Sequence, residues 1–195
     1  LGANPAVSNG SLMTAPGIAK RLTAIRERGG QVVVIDPRRT ETAELVDRHH
    51  FIRPGTDVML MLALLHTVLT EGLAVPGRLA ALTQGLPELA PLVAEFPPEV
   101  AAAPTGIPAA EIRALARAFA GARIAVCYGR MGVSTQAFGA TTQWLISALN
   151  IVTGNLDRPG GAMFTRPAFD LVAMTARLGE GGHFDKGRSR VRKLP

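Results

Sequence analysis

The stretch from Gln31 to Thr40 constrains the fold more than any other part of this sequence. Four consecutive apolar residues, Val32 to Ile35, end directly on an aspartate (Asp36), a proline and two arginines. Such a run is typical of a buried parallel strand that delivers a charged loop at its carboxyl end, where open α/β sheets bind ligands. An acid there commonly binds ribose hydroxyls or a base edge, and neighbouring arginines suit phosphates. The pattern therefore predicts a binding site for a nucleotide-type cofactor.

Hydrophobic periodicity predicts that helices alternate with short strands around this segment. We expect helices over residues 16–28, 42–47, 57–71, 108–120 and 138–152, and strands or extended segments over 31–35, 50–52 and 123–128. Strand and helix alternating at this spacing indicate an α/β fold with a doubly wound, mainly parallel, Rossmann-like sheet.

The proline distribution indicates how the chain is organised. Between residues 72 and 105 prolines interrupt short amphipathic pieces, which predicts small helices packed on the sheet rather than strands. We therefore expect one Rossmann-like domain over residues 1–165 with a Pro-rich helical insertion over 72–105. Residues 166–195 are expected to form a linker or a disordered basic tail.

Charge and hydropathy exclude several classes of protein. The net charge is +6, but five basic residues and one acid follow His183, and a short basic tail of this kind is more typical of a solvated segment than of a nucleic-acid partner. No apolar run reaches the roughly 20 residues of a membrane span. No signal peptide is visible, which favours a cytoplasmic over a periplasmic location without deciding it. The chain begins without methionine or a lead-in strand, so we expect it to be part of a longer protein.

Four loops carry residues that could bind a cofactor. Glycine lets a backbone approach a phosphate, and a carboxylate can accept two parallel hydrogen bonds from guanine, which adenine does not offer. A plain turn or a helix cap remains the alternative for each loop. The candidate residues are Gly2, Asn4, Asp36, Arg38, Gly55, Thr56, Asp57, Met131, Gly132 and Gln136.

The sequence lacks a complete catalytic constellation. It has no G-x-S-x-G, no phosphate loop of the G-x-x-x-x-G-K-[ST] type and no H-E-x-x-H, and its single cysteine, Cys127, excludes Cys₄ metal sites from this chain. We assign no catalytic or metal-ligating residue and interpret the chain as a binding platform.

These motifs, in this order, resemble the molybdopterin oxidoreductase family, which includes formate dehydrogenases, nitrate reductases and dimethyl sulfoxide reductase. The matching text is GANP at 2–5, VIDPRRTETA at 34–43, RPGTD at 53–57, TGIP at 105–108 with Glu111 and Ile112, GRMG at 129–132, and TGNLDRPGG at 153–161. The resemblance covers residues 1 to about 165.

The resemblance implies a parent protein with a molybdenum or tungsten bis(molybdopterin guanine dinucleotide) cofactor. It implies a 4Fe-4S cluster and the metal ligand upstream of this chain, a small-molecule substrate and an electron-transfer subunit as a possible partner. Residues 2–4 would contact the cofactor's diphosphate, Asp36 and Arg38 its ribose or phosphates, and residues 55–57 its guanine. The remaining three, Met131, Gly132 and Gln136, would lie along the pterin arm.

Two departures and two rival interpretations stay open. Residues 8–10 stand where the family usually has His-Pro after the first motif. The spacing from Met131 to Gln136 is one residue longer than in the family, which puts Gln136 in doubt. One rival is a cofactor-less structural homologue, such as an electron-transfer complex subunit. Intact Asp36, Arg38 and Asp57 argue against it. The other is a generic NAD-binding domain, which lacks support because no G-x-G-x-x-G follows the first strand.

Overall fold

The structure, a computed structural model, describes residues 1–8, 15–163 and 169–179. The chain divides into two compact units, Leu1–Met163 and Phe164–Pro195. Among the described residues of the second unit, Leu171–Arg177 form a helix whose N-cap, Asp170, accepts a hydrogen bond from the Ala173 N–H at 2.9 Å. Of the positions named above, 9, 10, 164–168 and 180–195 lie outside the described residues.

The helices of the first unit lie where periodicity predicts them, with ends shifted by a few residues. They are α1 (Ile18–Glu27), α2 (Glu41–Glu44), α3 (Asp57–Thr70), a 3₁₀ helix (Gly77–Leu82), α4 (Leu86–Val93), α5 (Pro98–Thr105), α6 (Ala109–Gly121), α7 (Met131–Ser134) and α8 (Gly139–Val152). The short α7 was not predicted; its sequence was interpreted as a glycine loop.

The sheet assigned within the described residues has two parallel strands, β1 (Val33–Ile35) and β2 (Arg48–His50). Val33 pairs with Arg48, and Ile35 pairs with His50. The second strand therefore begins two residues before the predicted segment over 50–52. This arrangement agrees with an α/β fold, but the doubly wound, Rossmann-like sheet is not confirmed by it.

The predicted strand over residues 123–128 is wrong, since the structure assigns no strand there. Two side-chain amides hydrogen-bond this backbone instead. The Cys127 N–H donates to Asn150 Oδ1 at 3.0 Å, and Asn150 Nδ2 donates back to the Cys127 carbonyl at 2.9 Å. The Ala125 N–H donates to Asn155 Oδ1 at 3.0 Å. These amides satisfy backbone groups that a neighbouring strand would otherwise pair.

The first two residues connect this segment to β1. The Leu1 nitrogen donates to the Tyr128 carbonyl at 2.7 Å, and the Arg130 N–H donates to the Leu1 carbonyl at 3.1 Å. The Gly2 N–H donates to the Ile35 carbonyl at 3.3 Å. Backbone hydrogen bonds thus bring the loop after Gly2, the end of β1 and the start of α7 together.

The core is built around α3. This helix is apolar on nearly all sides, which is typical of a helix surrounded by protein, and Leu60, Met61, Leu65 and Val68 are fully buried. Helices α4, α5, α6 and α8 pack against it. The short proline-containing helices are thus present as predicted, but α4 and α5 pack on α3, not mainly on the sheet. That residues 72–105 form an insertion, and the proposed domain bounds, stay predictions.

Candidate functional site

A cleft of about 270 Å³ is lined by residues from separate stretches of the chain. The cleft is formed by four segments: the N-terminal loop (residues 2–8), the turn after β1, the start of α3 and the region of α7. The lining residues are Gly2, Ala3, Asn4, Asp36, Pro37, Arg38, Thr40, Pro54, Asp57, Gly132 and Gln136. Seven of the ten candidate residues are among them, so motifs far apart in sequence contribute to one site.

Asp36 lies directly after β1, at the end of the strand where the sequence predicts a ligand. Its backbone N–H donates to the His50 carbonyl at 3.2 Å, which continues the pairing of the two strands. Its Oδ1 accepts a hydrogen bond from the Arg38 N–H at 2.9 Å, and this two-residue spacing forms an Asx-turn around Pro37. One carboxylate oxygen therefore shapes the turn, and Oδ2 has no hydrogen-bond donor within the described residues.

Arg38 is the cation of the lining. Its guanidinium is exposed, and its Nη2 nitrogen lies 3.4 Å from Glu41 Oε2. An exposed ion pair at this separation contributes little to stability. Arg38 can therefore exchange this partner for a ligand's phosphate at small cost.

Asp57 is the buried acid of the site. It is the first residue of α3 and is 7% exposed. Burial raises the pKa of its carboxyl group, a hydrogen bond from its own backbone N–H opposes the rise, and the negative charge of Asp36 adds to it. An ionised carboxylate in this position gains from any ligand that brings N–H donors.

Asn4 lines the cleft, but its side chain is already bonded within the protein. Asn4 Oδ1 accepts hydrogen bonds from the Thr42 N–H at 3.2 Å and the Thr42 hydroxyl at 2.7 Å. Its Nδ2 donates to Glu41 Oε2 at 2.7 Å. A carbonyl oxygen has two lone pairs, so the Asn4 oxygen has no acceptor capacity left for a ligand.

Gly2 and Gly132 meet through their backbones at the cleft. The Gly132 N–H donates to the Gly2 carbonyl at 3.1 Å. A Cβ on Gly132 would lie 2.7 Å from the Gly2 Cα, and a Cβ on Gly2 would lie 2.7 Å from the Val133 nitrogen. The sequence predicts that these glycines let the backbone approach a ligand. In the structure they let the two backbone segments approach each other.

Gln136 lies in the lining despite the long spacing from Met131. Its Nε2 donates to the Gly132 carbonyl at 3.1 Å, which holds the side chain beside the glycine contact. That Gln136 lies along the pterin arm stays a prediction.

Three candidate residues do not line the cleft. Gly55, with φ +81°, lies next to Gln136, because a Cβ there would be 3.5 Å from Gln136 Oε1. The Thr56 hydroxyl donates to the Arg53 carbonyl at 2.7 Å and so closes the turn before α3. Met131 is largely exposed.

Sequence reasoning missed two threonines at the cleft. Thr40 lines it, is buried, and caps α2 by accepting a hydrogen bond from the Ala43 N–H at 3.1 Å. Thr42 lies just behind the lining and binds the N-terminal loop. The capping pattern was visible in the sequence, but the contact of Thr42 with Asn4 spans 38 positions and has no local signal.

The described residues contain no group of three or more His, Cys, Asp or Glu side chains placed to hold a metal ion. Of the helices in the described ranges, none combines the length and the apolar character that crossing a bilayer requires.

The sequence of this chain is similar to those of known proteins. The chain is 33% identical over 158 residues to formate dehydrogenase H of Escherichia coli, which is 81% of this chain and 21% of that protein. It is 34% identical over 145 residues to F420-dependent formate dehydrogenase 2 subunit alpha of Methanococcus maripaludis, which is 74% of this chain and 21% of that subunit. The chain thus spans about a fifth of the length of the curated relatives it matches.

A solved structure is also similar. Acetylene hydratase from Pelobacter acetylenicus superposes with a TM-score of 0.67 at 30% identity, over 73% of this chain and 19% of that one. The family model described as molybdopterin oxidoreductase matches residues 1–194. Because this match covers nearly the whole chain, the protein belongs to the molybdopterin oxidoreductase family.

Proposed function

We propose that this chain forms the part of a molybdenum- or tungsten-dependent oxidoreductase that holds the guanine dinucleotide arm of a bis(molybdopterin guanine dinucleotide) cofactor. The observation that carries the proposal is the shared cleft. Asp36 at the end of β1 and Asp57 at the start of α3 line it together with the N-terminal loop and Gly132. Each comes from a motif that the family resemblance assigns to the cofactor.

Asp57 is suited to bind the guanine. The base presents its N1–H and N2–H₂ groups side by side, and a carboxylate accepts both. Burial raises the pKa of Asp57, so two donors from a ligand would stabilise the ionised form that burial disfavours. Adenine offers no such donor pair. A buried polar group left unpaired costs about 1–3 kcal/mol, which is enough to discriminate between the bases.

Asp36 and Arg38 are suited to bind the ribose and the phosphates. The free Oδ2 of Asp36 can accept hydrogen bonds from ribose hydroxyls, and the exposed guanidinium of Arg38 can pair with a phosphate. The backbone of residues 2–4 borders the same cleft. We therefore assign the diphosphate to the side of the cleft formed by this loop and Arg38.

The size and charge of the cleft indicate how much of the cofactor it holds. Its volume of about 270 Å³ is just below the roughly 300–1,000 Å³ typical of ligand pockets. Its lining carries two carboxylates and one guanidinium. The volume suits a nucleoside with its first phosphates, and Arg38 supplies the positive charge for a phosphate. We assign the start of the pterin arm to the part of the lining formed by Gly132 and Gln136, and the metal to the parent protein beyond this cleft. Because the cleft is open, it also favours a cofactor-binding protein over a cofactor-less homologue.

The role of this chain is to bind and orient the cofactor. When bound, the metal and its pterin supply two-electron redox chemistry or oxygen-atom transfer. The names of the relatives include formate dehydrogenases and a hydratase, so we infer that the matched segment does not determine the reaction. We assign the substrate site, the metal ligand, the 4Fe-4S cluster and contacts with an electron-transfer subunit to other parts of the parent protein.

The test compares Asp57→Ala with Asp47→Ala in the full-length protein. Asp47 lies outside the lining and accepts hydrogen bonds from Arg26 at 2.6 Å and from the Val32 N–H at 2.9 Å. We expect Asp57→Ala to lower guanine nucleotide and metal content at least tenfold with little change in melting temperature. We expect Asp47→Ala to lower the melting temperature and leave the content unchanged. Guanine nucleotide released by acid and metal per protein molecule are the measurements.

The rival functions give other results in the same assay. A cofactor-less homologue releases no guanine nucleotide from the unmodified protein, and an NAD-binding domain releases adenine nucleotide. Full guanine content in Asp57→Ala would contradict the role of this carboxylate.

A further inference from the structure

The N-terminal loop has its conformation set by a side chain outside the cleft lining. Within the loop, the Asn4 carbonyl accepts hydrogen bonds from the Val7 N–H at 3.1 Å and the Ser8 N–H at 3.0 Å. These bonds form a turn but do not fix its distance from the rest of the protein. Backbone hydrogen bonds to the Ile35 carbonyl and from the Gly132 N–H hold the loop at Gly2. The position of residues 4–6 depends on the contacts between the loop and α2.

Thr42 makes most of these contacts. Its hydroxyl donates to Asn4 Oδ1 at 2.7 Å and accepts a hydrogen bond from the Ala6 N–H at 3.0 Å. Its backbone N–H donates to the same Asn4 oxygen at 3.2 Å. Thr42 is 2% exposed, so water does not replace these bonds easily. Three hydrogen bonds thus join one residue of α2 to two residues of the loop.

The same short helix begins at a second part of the cleft lining. Thr40, its N-cap, lines the cleft and follows Asp36 and Arg38 in the turn after β1. Thr42 therefore joins two parts of the cleft lining, the loop of residues 2–4 and the turn of residues 36–40. A change in this joint changes the distance between the groups assigned to the diphosphate and to the ribose.

We propose that Thr42 is a positioning residue for cofactor binding, acting through Asn4, and that Asn4 supports the loop rather than contacting the ligand with its side chain. This inference rests on the proposed function of the cleft. Removal of the Thr42 hydroxyl leaves the Ala6 N–H without its acceptor and Asn4 with one donor fewer. Residues 4–6 then lose their fixed position beside α2 while Gly2 stays bonded to Ile35, and the ligand loses contacts with the loop that depend on that position.

The experiment measures the rate at which the full-length holoenzyme loses guanine nucleotide and metal after dilution. Thr42→Val removes the hydroxyl at nearly constant shape, and Thr42→Ser retains it. Thr67→Val is the matched control, because Thr67 is also 2% exposed and its hydroxyl donates only to Ala63 within α3, at 2.9 Å. Thr67 is ten residues from Asp57, about 15 Å along the helix.

We expect Thr42→Val to release the cofactor roughly tenfold faster, as the loss of one or two hydrogen bonds implies. Thr42→Ser should release the cofactor at the rate of the unmodified protein. Thr67→Val should also release it at that rate, even if its melting temperature falls as far as that of Thr42→Val. Thr42→Ala serves as a second variant if Thr42→Val does not fold.

Two outcomes would overturn the proposal. One is an unchanged release rate in Thr42→Val, and the other is an equal acceleration in Thr67→Val, which would make the effect one of general stability. The guanine content of Asp57→Ala distinguishes a wrong role for Thr42 from a wrong function for the cleft. If Asp57→Ala loses guanine while Thr42→Val does not, the cleft binds the cofactor and only the role of Thr42 is wrong.

Discussion

Gly2 and Gly132 contact each other so closely that neither position has room for a side chain. Their Cα atoms and carbonyl groups occupy the space in which a Cβ would have to lie, 2.7–2.9 Å from the other loop's backbone. Packing between two chain segments, independent of any ligand, therefore explains why both residues are glycine. The contact brings the N-terminal loop against the α7 region and forms part of the cleft lining.

Gly132→Ala is expected to destabilise the protein by about 1–3 kcal/mol, because overpacking against backbone forces the two loops apart. Gly121→Ala is the control, since no atom lies within 4 Å of the Cβ it would add. The measurement is urea unfolding of both variants. An unfolding midpoint for Gly132→Ala equal to that of the unmodified protein would show that the loops separate at no cost.

Asn150→Ala should lower the free energy of unfolding by roughly 2–4 kcal/mol, since it leaves the partly buried N–H and carbonyl of Cys127 without these partners. Asn150 is 2% exposed and also donates to the Ile146 carbonyl at 2.8 Å. Ser147→Ala, on the exposed side of the same helix, removes a hydroxyl that donates only to the Gln143 carbonyl and should cost under about 0.5 kcal/mol. Equal losses in the two variants would contradict the role of Asn150.

Asn150 also shows why part of this structure could not be predicted from sequence. Residues 123–128 have a strand-like apolar pattern, but the backbone of Cys127 pairs with an amide 23 positions away. Nothing local distinguishes an asparagine that bonds to a distant backbone from one inside an ordinary helix. The long helices, by contrast, follow from the spacing of apolar residues, and α3 begins at Asp57 as predicted.

The position of Asp36 at the cleft could be predicted from local sequence, as the order of the helices could. Asp36 follows a β-branched apolar run, and such an acid lies at a strand end whatever the rest of the sheet is like. What the glycines contact could not be inferred, because the pairing of Gly2 with Gly132 spans most of the chain. The hydrogen bonds from Thr42 to the Asn4 amide oxygen could not be inferred from the sequence either. That Asn4 contacts the ligand stays a prediction.

Asp57 should oppose folding of the cofactor-free protein at neutral pH. Burial raises the pKa of its carboxyl above the ordinary value of 3.8, so above pH 3.8 the folded state retains a proton that the unfolded state has lost. The contribution of Asp57 to stability is therefore present at low pH and is lost as pH rises through its folded pKa. Asp57→Asn removes this dependence.

We expect Asp57→Asn without cofactor to be as stable as the unmodified protein at neutral pH, or more stable, and relatively less stable in acid. Urea unfolding of both proteins between pH 4 and 8 measures the difference. A loss of more than about 1 kcal/mol at neutral pH would instead make the carboxylate a structural group.

Cys127 is expected to react slowly in the folded protein. Burial raises the pKa of its thiol to about 11, so at pH 8 the nucleophilic thiolate is scarce. Alkylation with iodoacetamide at pH 8 should be slow and should become fast in urea. The thiol of the unfolded protein has a pKa near 9.0, so between pH 9 and 11 the unfolded state loses a proton that the folded state keeps. The free energy of unfolding therefore falls as pH rises from 9 to 11. Cys127→Ala should lack this part of the alkaline dependence; identical curves would contradict the burial effect.

The most direct measurement is an experimental structure of the full-length protein with its cofactor bound. We expect a guanine base in the cleft, with N1 and N2 each within about 3.2 Å of an Asp57 carboxylate oxygen and the ribose hydroxyls beside Asp36. A guanine bound elsewhere, with Asp57 hydrogen-bonded only by groups of the protein, would contradict it.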